Sequence, residues 1–300
     1  MALPQPGIFA LGANAHCFCE FNASDRSDEA DLVRIAAELV TANTTVSGVN
    51  LVIGIRPSLW NQLATVVVDV RDFPDGIVGP DGFEMPATQA DIWLWISGAS
   101  QDLVFDAARG ASKALMATAT LVRSKNGWPY HRNQDLTGFI DGTENPPIPH
   151  APSVALFGDT ERAAGSSVAL VQEWHHDLEA FEKLDGPAQE RVFGRTKSDS
   201  TEFDDESMPH DAHVSRTSIK SGGSTLEIFR RSVPYGDPSD HGLVFIAFTH
   251  DQARITTMLK RMAGQEDGLR DALTRYSTPL SGSYFFIPAP NLLEEFVSET

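Results

Sequence analysis

Basic residues are scarce in this chain: 23 Lys and Arg stand against 41 Asp and Glu, a formal charge of −18 over 300 residues. Such a surface repels phosphate backbones and anionic lipid, so nucleic acid and membranes are not expected partners. It favours neutral or cationic small molecules. Cysteine is scarcer still. The only two, Cys17 and Cys19, lie two apart on an alternating segment, share a strand face and are poorly placed for a disulfide. They read as buried core thiols, which points to the cytoplasm. No apolar run approaches about 18 residues, so no membrane span is expected. The opening Met1-Ala2-Leu3-Pro4-Gln5-Pro6-Gly7 has neither a basic region ahead of an apolar run nor twin arginines, and export is not indicated.

What is present is the composition of a soluble globular protein, 41% hydrophobic and 21% charged, with length for one large domain or two ordinary ones. Ala15 to Phe21 reads as a strand, followed by a helix with Leu32, Ile35, Ala36, Leu39 and Val40 on one stripe. Val46 to Ile55, Thr65 to Val70, Asp91 to Ser97 and Ala119 to Arg123 read as further strands, with an Ala-rich helix over Asp102 to Thr118 and an irregular loop over Phe73 to Pro86. After residue 160 come strands at Ser167 to Gln172, Thr225 to Arg231, Leu243 to Thr249 and Ser283 to Pro288. Helices are expected at Asp177 to Leu184, from Pro187, and at Asp251 to Met262. Lys197 to Pro209 reads as an exposed loop and Leu292 to Thr300 as a tail. Strand, helix, strand, strand, helix, strand is the order of a ferredoxin-like unit, and it occurs twice. The expectation is an α+β chain of two ferredoxin-like units with antiparallel sheets, of the dimeric α/β-barrel type. They would span residues 1–135 and 136–300, joined near Gly127 to Asp135.

The stretch Gly138-Phe139-Ile140-Asp141-Gly142-Thr143-Glu144-Asn145-Pro146 has two glycines, an Asn-Pro ending and no apolar alternation. It is a loop with a dictated backbone, and composition alone would make it a solvated turn. Downstream, period two puts Arg230 and Ser232 on the face of Leu226 and Ile228, while Arg231 shares the other with Glu227 and Phe229. Arg231 therefore has an acid within reach. Arg230 is aimed where apolar residues go, and a buried guanidinium, which cannot shed its proton, needs an anionic partner. His210 and His213 form a His-x-x-His pair without further ligands at a familiar spacing, a weak sign of zinc or non-haem iron.

Together, Gly138 to Pro146, His213 with its flanking Val214 and Arg216, and Arg230 seventeen residues later resemble the signature of the dye-decolorizing peroxidases. Trp174 to Phe181, Gly194-Arg195-Thr196-Lys197, Tyr276-Ser277 and Gly282 to Pro288 also resemble that family, over roughly residues 5 to 290 and most closely its signal-less bacterial B class. The resemblance implies haem b in the C-terminal half, with His213 as proximal axial ligand and Asp141 and Arg230 as the distal pair. It makes Ser232 a distal polar neighbour, Arg195 a partner of a haem propionate, and Asp271 the carboxylate that accepts a hydrogen bond from His213. It implies hydrogen peroxide and small one-electron donors as substrates, and a homo-oligomer. The tail does not resemble the peptide that loads some relatives into encapsulin shells. Phe245 and Phe248 would wall the pocket, and Trp60, Trp93, Trp95, Trp128, Trp174, Tyr130, Tyr235, Tyr276 and Tyr284 are stations for a surface relay or plain core packing. Two other readings stay open: a haem-handling protein for porphyrinogen oxidation or iron release, and a non-haem metal protein using His210 and His213.

Overall fold

The computed structural model describes residues 2–42, 48–73, 75–131, 133–221 and 224–297. Its first strands are β1 (Ala15–Ala23), β2 (Val49–Ile55), β3 (Ile92–Gly98) and β4 (Ala119–Gly127), with α1 (Glu29–Ala42), α2 (Pro57–Leu63) and α3 (Gln101–Leu115) between them. The later strands are β5 (Ser167–His176), β6 (Phe229–Arg230), β7 (Val233–Gly236), β8 (His241–Thr249), β9 (Ser277–Pro279) and β10 (Ser283–Ile287). Between β5 and β6 lie α4 (Leu178–Glu182), α5 (Gly186–Phe193) and α6 (His213–Thr217), and α7 (Gln252–Met262) follows β8.

The strands run in the order β6-β8-β7-β4-β1-β3-β2-β10-β5-β9, and β8 also pairs with β5. That extra pairing closes eight strands, all antiparallel, into a barrel. The early strands stand in the order β4-β1-β3-β2 and the later ones β7-β8-β5-β10. Where the two sets meet, one pair joins each seam: Tyr235 with Gly127, and Phe286 with Ile55. The first seam requires glycine, because a Cβ on Gly127 would lie 2.7 Å from Pro234 O.

Alternation along each strand divides the core. Phe18, Trp93, Trp95, Phe248 and Phe285 belong to the cluster filling the barrel, whereas Cys17, Phe21 and Leu94 pack in the separate cluster that includes Leu32 and Val104 of the helices. Cys17 and Cys19 are free, buried thiols. The barrel interior also holds charge: Arg123 donates to Glu20 at 2.8 Å and Lys125 to Glu173 at 2.9 Å. Burial pushes Glu20 up to about 7, although Arg123 pulls it back.

Several expectations need correction. Val46 and Ser47, at the start of the second expected strand, lie outside the described residues. Thr65 to Val70 forms no strand. Its backbone is taken by side chains instead: Trp60 Nε1 donates to Val66 O at 2.8 Å, and the Asn61 amide accepts from Val68 N and donates to Val68 O at 2.8 and 2.9 Å. The loop from Phe73 to Pro86 contains a small hairpin, Ile77–Val78 with Glu84–Met85. The strand expected over Thr225 to Arg231 is broken, because only Phe229 and Arg230 pair with β8. Arg231 does not meet Glu227; it donates to Ile8 O and Ala10 O at 2.5 and 2.7 Å and stacks over Trp95. Burial lowers its pKa to about 10. Phe248 faces the barrel interior and only Phe245 reaches the pocket. Of the aromatic stations, Trp60, Trp93, Trp95, Trp174, Tyr235 and Tyr284 are buried and Trp128 is exposed.

Candidate active site

A cavity opens on the outer face of the later strands, with Gln172 and Trp174 of β5 and Leu243 and Phe245 of β8 on one side and Ile255, Met258 and Leu259 of α7 nearby. All its lining residues fall between Asp135 and Ser277. The void measures about 1740 Å³ with its mouth included. Asp141, Arg195, His213 and Arg230 all lie on its wall; Ser232 and His210 do not.

His213 begins α6, a short helix not evident in the sequence. Its Nδ1 lies 2.7 Å from Asp271 Oδ2, and a carboxylate can only accept, so Nδ1 carries a proton. Nε2 has no hydrogen-bond partner among the described residues, and His213 lies on the cavity wall. Asp271 itself is fully buried and spends its other oxygen on Leu273 N at 2.9 Å. One turn along α6, buried Arg216 donates to both Asp267 oxygens (2.7 and 2.8 Å) and to Arg261 O. This fork anchors the helix that carries His213. The Val-x-Arg flank contained Arg216, but its partner lies 51 residues away.

The Asp141 loop has the dictated backbone expected of it, with φ of +87° at Gly138 and +80° at Gly142. Its root is buried Asp135, which accepts from Thr137 N and Oγ1 and from His176 Nε2 at 2.9, 2.6 and 2.9 Å. Burial alone would raise Asp135, but the imidazole and the Thr137 donors hold it down at about 2. His176 Nδ1 meets Ser277 Oγ at 2.9 Å, completing a chain along the cavity wall. Asn145, at the other end of the loop, binds the backbone of Arg230 on both sides, accepting at 2.8 Å and donating at 2.9 Å.

Among the described residues, neither the Asp141 carboxylate nor the Arg230 guanidinium is hydrogen-bonded, and no ion pair joins them. The anionic partner expected for Arg230 is absent because the guanidinium is only half-buried and faces open space. Both groups are left free to act on what enters. Arg195 is engaged, by contrast, with Glu144, with Glu202 at 2.7 Å and with Ser200 O at 2.9 Å. Ser232 Oγ is buried, has no partner among the described residues and does not line the cavity. No group of three or more His, Cys, Asp or Glu among the described residues is placed to hold a metal ion, which leaves the His210–His213 reading unsupported.

Residues 5–129 match the Dyp-type peroxidase N-terminal family and residues 132–291 the Dyp-type peroxidase C-terminal family. The chain belongs to the Dyp-type peroxidases. It is 36% identical over 215 residues to a dye-decolorizing peroxidase of Mycolicibacterium paratuberculosis, covering 70% of this chain and 61% of that protein. It is 32% identical over 252 residues to the Mycobacterium tuberculosis dye-decolorizing peroxidase, covering 82% and 75%. A Dyp-type peroxidase structure from Shewanella oneidensis superposes with a TM-score of 0.93 at 29% identity, over 99% of this chain and all of that one. A DypB variant from Rhodococcus jostii in complex with heme superposes at 0.89 with 30% identity, over 97% of each.

As a Dyp-type peroxidase the chain is a haem-dependent enzyme, and its cavity fits the cofactor. Gln172 Nε2 is fully buried on the wall without a partner among the described residues, while Gln172 Oε1 receives Trp174 Nε1 at 3.3 Å. An oriented, unsatisfied donor beside apolar walls and a free imidazole suits a flat, anion-bearing macrocycle. No helix among the described residues is long and apolar enough to cross a membrane.

Proposed function

We propose that His213 Nε2 ligates the haem iron, and that Asp141 and Arg230 carry the reaction with hydrogen peroxide. The observation that supports this most is that one cavity receives a free imidazole nitrogen, an unpaired carboxylate and an unpaired guanidinium. Haem iron, when bound, supplies the centre at which the peroxide O–O bond breaks and the store for two oxidising equivalents. Asp141 takes the proton from one peroxide oxygen and returns it to the other. Arg230 holds the negative charge that develops on the departing oxygen. Asp271 makes His213 a more anionic ligand. Arg195 meets a propionate by exchanging Glu144 or Glu202, both more than two-fifths exposed, for it. Small one-electron donors such as phenolics and dyes then return the site to its resting state.

We also infer that the two strand sets are ferredoxin-like units, since β4-β1-β3-β2 and β7-β8-β5-β10 follow the same order once the second is read in reverse. A B-class, oligomeric, cytoplasmic enzyme accords with this reading. The test is an ultraviolet–visible spectrum of the haem-loaded protein before and after peroxide. His213→Ala is expected to lose haem, while Asp141→Ala and Arg230→Ala keep it and react with peroxide about 100-fold more slowly or worse. Full haem occupancy with an unaltered ligand spectrum in His213→Ala would overturn the assignment.

A further inference from the structure

We propose that Asn145 is a positioning residue, whose side-chain amide acts as a one-residue strand on the open edge of β6 and sets the spacing between Asp141 and Arg230. The inference rests on the reading of those two as the acid and the guanidinium of the peroxide reaction. β6 is only two residues long and, among the described residues, has one neighbour, β8. Its other edge would leave the Arg230 N–H and C=O without strand partners. The Asn145 amide meets both, with Oδ1 accepting from Arg230 N at 2.8 Å and Nδ2 donating to Arg230 O at 2.9 Å. A planar amide offers one acceptor and one donor side by side, as a strand edge does.

The same device recurs in this fold. Gln5 brackets Ile53 (2.8 and 2.9 Å), Asn61 brackets Val68 (2.8 and 2.9 Å), and Gln89 brackets Tyr284 (3.0 and 2.7 Å). At Asn145 alone among these four does it tie one cavity-facing functional residue to the loop of another. Asp141 is held from behind by its own N–H to Asn133 O at 2.9 Å, and the turn ahead is closed by Asn145 N to Gly142 O at 3.0 Å. The carboxylate of Asp141 and the guanidinium of Arg230 share no contact, so their separation is fixed through the backbone. Asn145 is its direct link. It is not on the cavity wall, and so acts through the other two residues, not on substrate.

The test compares haem-loaded wild type with Asn145→Ala and the isosteric Asn145→Asp, which keeps the acceptor but sets a carboxylate oxygen against Arg230 O. Both variants are expected to retain haem and to slow the bimolecular reaction with peroxide about 10- to 100-fold, the cost of a displacement near 1 Å. The rates of donor oxidation in the subsequent steps should stay unchanged. Independently of activity, hydrogen–deuterium exchange of the haem-free protein should be faster at the Arg230 amide in Asn145→Ala, which removes its acceptor. A wild-type peroxide rate in either variant, while Asp141→Ala and Arg230→Ala are slow, would refute the positioning role and leave the site assignment standing. Wild-type rates in Asp141→Ala and Arg230→Ala would remove the site assignment and this proposal with it. Should Asn145→Ala not fold, the peroxide rate of Asn145→Asp decides, since it loses the donor to Arg230 O.

Discussion

Asp271 Oδ2 accepts the His213 Nδ1 proton at 2.7 Å, and Asp271 Oδ1 accepts Leu273 N at 2.9 Å. Both oxygens of a fully buried carboxylate are thereby committed, and the imidazole ring cannot turn without breaking one of them. Asp271→Asn is expected to weaken haem retention about 10- to 100-fold and to raise the reduction potential of the bound iron. Haem transfer to apomyoglobin and spectroelectrochemistry read the two effects, and an unchanged potential would separate Asp271 from the ligand's electronics.

Asp135 has a folded pKa of about 2 against an ordinary 3.8. A depressed acid contributes stability that is present above its unfolded value and lost as pH falls through the folded one. The contribution is therefore whole above about pH 4 and gone near pH 2. Asp135→Asn breaks the buried contact with His176 and should cost about 3 kcal/mol at pH 7. In urea unfolding, the gap between variant and wild type should narrow steadily as the medium is acidified below pH 4.

Glu20 behaves in the opposite sense, since burial raises it from 4.5 to about 7. The folded state then binds more protons than the unfolded one between those values, so stability falls as pH rises across that interval, by on the order of 3 kcal/mol at most. Glu20→Gln removes this titration. Thermal midpoints measured from pH 5 to 8 should show a shallower decline in the variant, and an identical slope would place the titration elsewhere.

At the seam between β4 and β7, a methyl group on Gly127 would stand 2.7 Å from Pro234 O and 2.8 Å from Val233 Cγ1. Gly127→Ala must push the strands apart where a single pair joins them, at a cost of about 3 kcal/mol. Denaturant unfolding measures this. Haem binding should be kept at temperatures where the variant remains folded, because the cavity is lined by residues from Asp135 onward.

Periodicity located the elements that bury a regular face. Leu32 and Ala36 of α1 and Ile92, Leu94 and Ile96 of β3 are all buried as their spacing required. Asp141, His213 and Arg230, which the family resemblance singles out on three separate stretches, line one cavity. The failures have a common cause in partners remote along the chain. Parity set Arg231 beside Glu227, yet its guanidinium ends on carbonyls more than 220 residues away. Thr65 to Val70 had the β-branched composition of a strand, but neighbouring Trp60 and Asn61 satisfied its backbone first. The roles of Asn145, Arg216 and Asp135 could not be read from their types, since an asparagine or aspartate in a loop and an arginine on a short helix are ordinary. Only the geometry distinguishes them.

The single-pair seams bear on how the molecule coheres. With one rung at each junction, the two arcs of the barrel adhere through the tryptophan- and phenylalanine-filled lumen they enclose and through the outer cluster, where Trp60 meets Phe286 and Phe73 meets Tyr284. Fragments severed around residue 130 should therefore recombine by oily contact more than by rungs of amide, tolerating salt and loosening in the cold.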